Sequence, residues 1–153
     1  MSPVRVAVAG AGGRMGRALL EAATATPGIA LGAALDIAAS HWIGRDAGDL
    51  VTGAKGTAIG SDVAKALAVS DVLIDFTRPE GTLEHVRACR KAGKAIVIGT
   101  TGFAPAGLDD IRAAAKDIAI VMAPNMSIGV NVMAKLVELA SRTLGPDYDA
   151  EVF

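Results

Sequence analysis

The sequence predicts an α/β fold: a doubly wound parallel sheet with helices on both faces. Three observations point to it. Strand-like apolar runs alternate with helix-like amphipathic runs along the 153 residues. The strand-like runs show little polar alternation, as expected of parallel strands buried on both faces. Between the first strand-like run and the first helix-like run stands "GAGGRMGR", residues 10–17, a glycine-rich turn.

The elements follow in order. Val4–Ala9 reads as the first strand. Arg14–Ala25 reads as a helix with Met15, Leu19, Leu20 and Ala23 on one face. Ile29–Leu35 is the second strand and delivers Asp36 at its end. Residues 37–60 carry the least pattern and are expected to form a surface loop. A short helix is predicted over 62–68, with Ser61 placed to cap it. "DVLIDF", 71–76, is the third strand. Pro79–Ala92 is a helix whose proline suits the first turn and whose end is marked by Gly93. Ala95–Ile98 is the fourth strand, 105–116 a helix and 118–122 the fifth strand. A long amphipathic helix is predicted over 127–144, stopped by Gly145 and Pro146, and 148–153 reads as the start of a further strand. The five full strands are expected in the order 3-2-1-4-5.

Composition narrows the function. Hydrophobic residues make up 52 % and charged residues 20 %, the balance of a folded globular chain. A net charge of −1 with scattered basic residues gives no case for nucleic acid or an anionic membrane as partner. Cys89 is the one cysteine, so no internal disulfide or zinc cluster is expected. With no signal-like segment before the first strand, the sequence reads as cytoplasmic.

The glycine turn carries the first functional reading. Its spacing is Gly10-x-x-Gly13-x-x-Gly16, and the commoner G-x-G-x-x-G does not fit because Met15 lies three past Gly12. Gly10 allows a tight turn, Gly13 lets main-chain amides approach a pyrophosphate, and Gly16 lets the helix press on the sheet. A turn that serves only packing is the alternative. A phosphate-binding P-loop is excluded because G-x-x-x-x-G-K is absent. A short-chain dehydrogenase is excluded because Tyr148 is the only tyrosine and residue 152 is valine. Asp36, ending the second strand, would accept hydrogen bonds from the adenosine ribose of NAD; an ordinary strand-end aspartate is the alternative. A 2′-phosphate there meets a repulsion of about 3 kcal/mol per charge pair at ~5 Å and an effective dielectric of ~20. Arg14, at the helix start, would offset much of it by pairing with the phosphate; a solvated arginine is the alternative. NADH is therefore expected to be preferred and NADPH tolerated.

Three later strand ends converge on the same edge: "DFTRPEGT" (75–82), "GTTGF" (99–103) and "APNMSIGVN" (123–131). Each has a structural alternative: Thr77 and Arg78 leading into the helix at Pro79, "GTTG" as a plain turn, and Asn125 as a helix cap.

Together, "GAGGRMGR", "DFTRPEGTLEH", "VIGTTGF" and "GVNVM" resemble the dihydrodipicolinate reductases (4-hydroxy-tetrahydrodipicolinate reductases) of bacterial lysine and diaminopimelate synthesis, over residues 4–153. The resemblance implies a Rossmann-like domain that binds NADH or NADPH. It places Gly10, Gly13, Arg14, Met15 and Gly16 at the pyrophosphate and Asp36 at the ribose. Phe76, Thr77 and Arg78 fall beside the nicotinamide side of the cofactor. Gly99, Thr100, Thr101 and Gly102 would touch both nicotinamide and substrate, with Thr101 the substrate contact. Ala123, Asn125 and Met126 would close over the nicotinamide. The reaction implied is hydride transfer to a small cyclic dicarboxylate, giving tetrahydrodipicolinate, in an enzyme that is usually a cytoplasmic homotetramer.

The family continues beyond this point with a signature resembling E-x-H-H-x-x-K-x-D-x-P-S-G-T, which holds the proton donor and the carboxylate clamp. These 153 residues lack it, so no catalytic residue is assigned within them; neither His41 nor His85 matches. His85 is expected on a solvated helix face, and His41 and Trp42 in the loop after the second strand. Residues 1–126 are expected to be the dinucleotide-binding domain, and 127–153 a hinge helix with the first strand of a substrate domain that also builds the oligomer. Ile37 departs from the basic residue that many members carry after the ribose acid, and Arg45 is far along the loop. A stand-alone NAD(P)-binding module or redox sensor, and another two-domain dehydrogenase sharing this half, are the alternatives.

Overall fold

The computed structural model describes residues 2–146, 148, 149 and 151. The chain forms two compact units, Met1–Met122 and Ala123–Phe153.

The first unit contains β1 (Val4–Ala9), α1 (Arg14–Ala25), β2 (Ile29–Leu35), β3 (Ile59–Gly60), α2 (Val63–Ala68), β4 (Val72–Asp75), α3 (Pro79–Ala92), β5 (Ala95–Ile98), α4 (Pro105–Ala114) and β6 (Ile120–Met122). All strand pairs are parallel, and the order is β3-β2-β1-β4-β5-β6. This confirms the doubly wound α/β class. It corrects the expected order: the strand read as third, now β4, pairs with β1, and the place beyond β2 belongs to the two-residue β3.

Alternate residues of β1 serve opposite faces, as the period of two requires. Ala7 and Ala9 join Leu67, Leu73, Val86, Cys89, Ile96, Ile98 and Ile111 in a core under α2, α3 and α4. Val8 joins Leu20, Ala34, Ala47, Ala54 and Ile59 in a second core under α1. Residues 37–60 are thus no plain surface loop, because Ala47, Ala54 and Ile59 are buried. Asp46 organises the segment, its carboxylate accepting from the Gly48 N–H at 2.7 Å and the Gly56 N–H at 2.8 Å.

Helix ends follow local chemistry. The cap of α2 is Asp62, whose Oδ1 accepts from the Lys65 N–H at 3.0 Å; the expected cap, Ser61, lies one residue earlier. Pro79 opens α3 and Gly93 closes it at φ 63°. There the Lys94 N–H returns to the Cys89 carbonyl at 2.9 Å and the Gly93 N–H to the Arg90 carbonyl at 3.3 Å, the left-handed glycine end expected from sequence.

The second unit contains α5 (Ile128–Leu144), capped by Ser127, whose Oγ accepts from the Val130 N–H at 3.4 Å. The strand expected over 148–153 falls partly outside the described residues; the described Tyr148, Asp149 and Glu151 are not in a strand. No helix among the described residues is long and apolar enough to cross a membrane.

Candidate dinucleotide site

The parallel register brings four strand ends level. Leu35, Ala9, Asp75 and Ile98 are successive partners across the sheet. Asp36, Gly10, Phe76 and Gly99 therefore leave it side by side. The order of connection reverses at β1, and such switch points are where doubly wound sheets bind ligands.

Gly10 sits at φ 72°, the left-handed region that favours glycine. The turn is closed by the Ala11 N–H on the Leu35 carbonyl at 2.8 Å and the Gly13 N–H on the Gly10 carbonyl at 2.9 Å. Gly16 makes the closest approach: a Cβ there would lie 2.0 Å from the Gly10 oxygen. Gly13 is the cap position of α1 and offers no capping side chain, and no acidic residue occupies the first turn. The Arg17 N–H reaches the Gly13 carbonyl at 3.0 Å, so the amides of Arg14, Met15 and Gly16 precede the first intrahelical bond. Such an end favours an anion by about 0.3–1 kcal/mol per charge where exposed. The glycine cradle and the uncapped amides fit a diphosphate.

Asp36 is oriented by its own neighbours. Its Oδ2 accepts from the Gly12 N–H at 3.2 Å and the Ser40 hydroxyl at 2.9 Å, and its Oδ1 from the Ile37 N–H at 2.9 Å. Trp42 packs beside it: a Cβ on Gly12 would lie 2.5 Å from Trp42 Cδ1 and 2.6 Å from Asp36 Oδ2. The Arg17 and Arg45 guanidinium carbons lie 5.4 and 5.3 Å from the Trp42 ring centroid, within cation–π range. The fold thus returns Arg45, distant in sequence, to the aspartate end. Arg5, Arg87, Arg90, Arg112 and Arg142 are each ion-paired to a carboxylate. Among the described residues, Arg14, Arg17, Arg45 and Arg78 form no ion pair. All four lie in or next to the segments that leave this edge, where Asp36, Asp75 and Glu80 also stand, so guanidinium groups are at hand there to pair with a phosphate.

The other end is built on a buried carboxylate. Asp75 is fully buried at the end of β4. Its Oδ1 accepts from the Thr77 N–H at 2.9 Å and the Thr77 hydroxyl at 2.7 Å. His85 Nδ1 lies 2.6 Å from its Oδ2. The expected solvated position of His85 is corrected: its side chain is 15 % exposed. It projects from the inner face of α3 that also carries the buried Thr82, Val86 and Cys89, a spacing of three and four that marked it in sequence. Thr100 is buried and Thr77 half-buried, while Arg78 and Thr101 are exposed. Gly99 lies against the Phe76 ring. Ala123, Asn125 and Met126 belong to the second unit. There Asn125 Oδ1 accepts from the Ser127 N–H at 2.8 Å, but the cap of α5 is Ser127.

Burial alone would push the Asp75 carboxyl up, yet the hydrogen bonds from His85 and Thr77 hold it below the ordinary 3.8. Asp71, hydrogen-bonded by the Arg5 side chain and main-chain N–H, is held down to about 2. A carboxyl depressed in the folded state stabilises it above the unfolded value and loses that contribution as pH falls through the folded value. Thermal melts are expected to stay level from pH ~6 down to ~4.5 and then drop steeply between about 4 and 2. A melting temperature that holds across that window contradicts these assignments. Burial, and then the Asp75 charge, push the Cys89 thiol up to about 12, which leaves it inert as a nucleophile.

Comparison with known proteins agrees with this geometry. The family profile described as "Dihydrodipicolinate reductase, N-terminus" matches residues 4–126. The 4-hydroxy-tetrahydrodipicolinate reductase of Nitrosomonas europaea is 51 % identical over 152 residues, covering 99 % of this chain and 57 % of that protein. That of Nitrosospira multiformis is 53 % identical, covering 99 % and 56 %. A dipicolinate-bound dihydrodipicolinate reductase from Paenisporosarcina sp. TG-14 superposes with a TM-score of 0.71 at 28 % identity, covering 90 % of this chain and 53 % of that one. The chain spans about half the length of the curated relatives it matches.

Proposed function

Because this chain belongs to the dihydrodipicolinate reductase family, we propose that its first unit holds NADH or NADPH for the reduction of 4-hydroxy-tetrahydrodipicolinate. One observation carries the reading: an uncapped helix N-terminus, set by Gly10, Gly13 and Gly16 at the switch point of a parallel sheet. The amides of Arg14 and Met15 take the diphosphate, and the Arg14 side chain adds charge. Asp36 takes the adenosine ribose, its carboxylate already fixed by Gly12, Ser40 and Ile37. Thr77, Arg78, Gly99 and Thr100 flank the nicotinamide end with Phe76, and Thr101 contacts the dicarboxylate substrate. The bound dinucleotide supplies the hydride; these residues orient it and exclude water. The whole protein works as a homotetramer in the cytoplasm.

The preference is for NADH, since Asp36 repels a 2′-phosphate while Arg14, together with Arg17 and Arg45 over Trp42, lets NADPH be tolerated. Trp42 is the only tryptophan and lies beside Asp36, so energy transfer to the reduced nicotinamide reports binding. Titration of the 153-residue chain is expected to saturate with both dinucleotides, NADH the tighter. No saturation with either, or NADPH binding about tenfold tighter, overturns the reading. General acid catalysis is worth typically ~10²–10⁴-fold, and the signature that would supply the acid is absent from these residues, so the same sample is expected to bind without measurable turnover.

A further inference from the structure

The buried network at the end of β4 does more than fill space. Thr77, on the loop after β4, and Thr100, on the loop after β5, meet there. The Thr77 N–H is shared between Asp75 Oδ1 at 2.9 Å and Thr100 Oγ1 at 3.0 Å. Thr100 Oγ1 also lies 3.4 Å from Asp75 Oδ1. The first two turns of α3 supply the rest: Thr82 Oγ1 donates to Thr100 Oγ1 at 2.8 Å, and His85 Nδ1 pairs with Asp75 Oδ2 at 2.6 Å. The network thus ties one helix to both loops that flank the proposed nicotinamide end. Thr77 extends it to the glycine turn, since its methyl lies 3.1 Å from where a Cβ on Gly10 would be.

A buried carboxylate is a poor way to gain stability. Apolar residues of the same volume often serve as well or better, and such groups are kept where they fix one geometry. Here every polar atom named has a partner, and the two threonines held stand on the two loops that flank the proposed nicotinamide end. His85 itself is mostly covered and sits one helix back from the strand ends.

We propose that His85 is a positioning residue: acting through Asp75, it sets the loops 76–78 and 99–101 against the nicotinamide half of the cofactor. It touches neither cofactor nor substrate. This rests on the dinucleotide reading above, and it separates the two halves of the ligand. NADH engages both ends of the site, whereas ADP-ribose lacks the nicotinamide ring and engages the glycine turn and Asp36 alone.

The test measures both ligands on the 153-residue chain. His85→Leu is expected to weaken NADH about tenfold while ADP-ribose changes less than about twofold, as displacement of a charge-assisted hydrogen-bond network implies. His85→Asn, whose amide can donate near the Nδ1 position, is expected to recover most of the loss. Thr82→Val removes the link to Thr100 without stranding a charge and is expected to weaken NADH about threefold with the same selectivity. It decides the matter should His85→Leu fail to fold. Wild-type NADH affinity in these variants, or equal losses for NADH and ADP-ribose, overturns the positioning role alone. A wild-type chain that binds neither ligand overturns the dinucleotide reading with it.

Discussion

Gly16→Val is expected to abolish detectable dinucleotide binding and to lower the melting temperature. The first atom of the new side chain would stand 2.0 Å from the Gly10 carbonyl oxygen and 2.7 Å from the Ala11 Cα. Both are backbone, so α1 must move off the sheet. Overpacking of this kind costs about 1–3 kcal/mol. The larger effect falls on the ligand. The amides of Arg14 and Met15 move with the helix, and an anion site built from main-chain donors has no side chain to compensate. Losing two hydrogen bonds to a charged group, at about 1.5–3 kcal/mol each, is expected to cost at least on the order of 10²-fold in affinity. Gly13→Ala supplies the contrast. Its Cβ would lie 3.2 Å from the same oxygen on an ordinary backbone with φ −77° and ψ 169°. That variant is expected to fold normally and lose less affinity. A Gly16→Val chain that binds NADH within about threefold of wild type would remove the glycine turn from the site.

Gly99→Ala is the second large effect, at the opposite end. Its Cβ would fall 2.0 Å from Phe76 Cε1 and 2.2 Å from Cζ, far inside contact distance of the ring. The Gly99 N–H is fixed on the Asp75 carbonyl at 2.9 Å, so the ring has to leave. We expect a loss of about 1–3 kcal/mol and a weakening of NADH that ADP-ribose does not share. A double-mutant cycle isolates the cause. With Phe76→Ala in place the clash is gone, and Gly99→Ala is expected to cost almost nothing more. If the two losses simply add, the ring is not what the glycine accommodates.

The glycine turn, Asp36, Pro79 and Gly93 were legible because each answers a local demand. A tight turn, a strand-end acid and the two ends of a helix leave their mark within a few residues. The parallel strands were legible from apolar runs alone, but their order was not. Ile59–Gly60 is too short to show a period, and missing it put β4 beyond β2 instead of on the other side of β1. Asp62 took the cap from Ser61 because one residue of helix phase separates the two. His85, expected on a solvated face, differs for another reason. Its spacing of three and four from Thr82 and Cys89 fits the inner face, but its partner, Asp75, stands on another element, and only the fold pairs them. The Arg17–Trp42–Arg45 stack was likewise invisible, since it joins a helix to a loop that appeared unpatterned.

A crystal structure of the chain grown with NADH tests the central claim most directly. The expected result places diphosphate oxygens about 3 Å from the main-chain nitrogens of Arg14 and Met15, with the adenosine ribose on Asp36. A glycine turn left empty at saturating NADH, or a diphosphate bound anywhere else on the molecule, would contradict it.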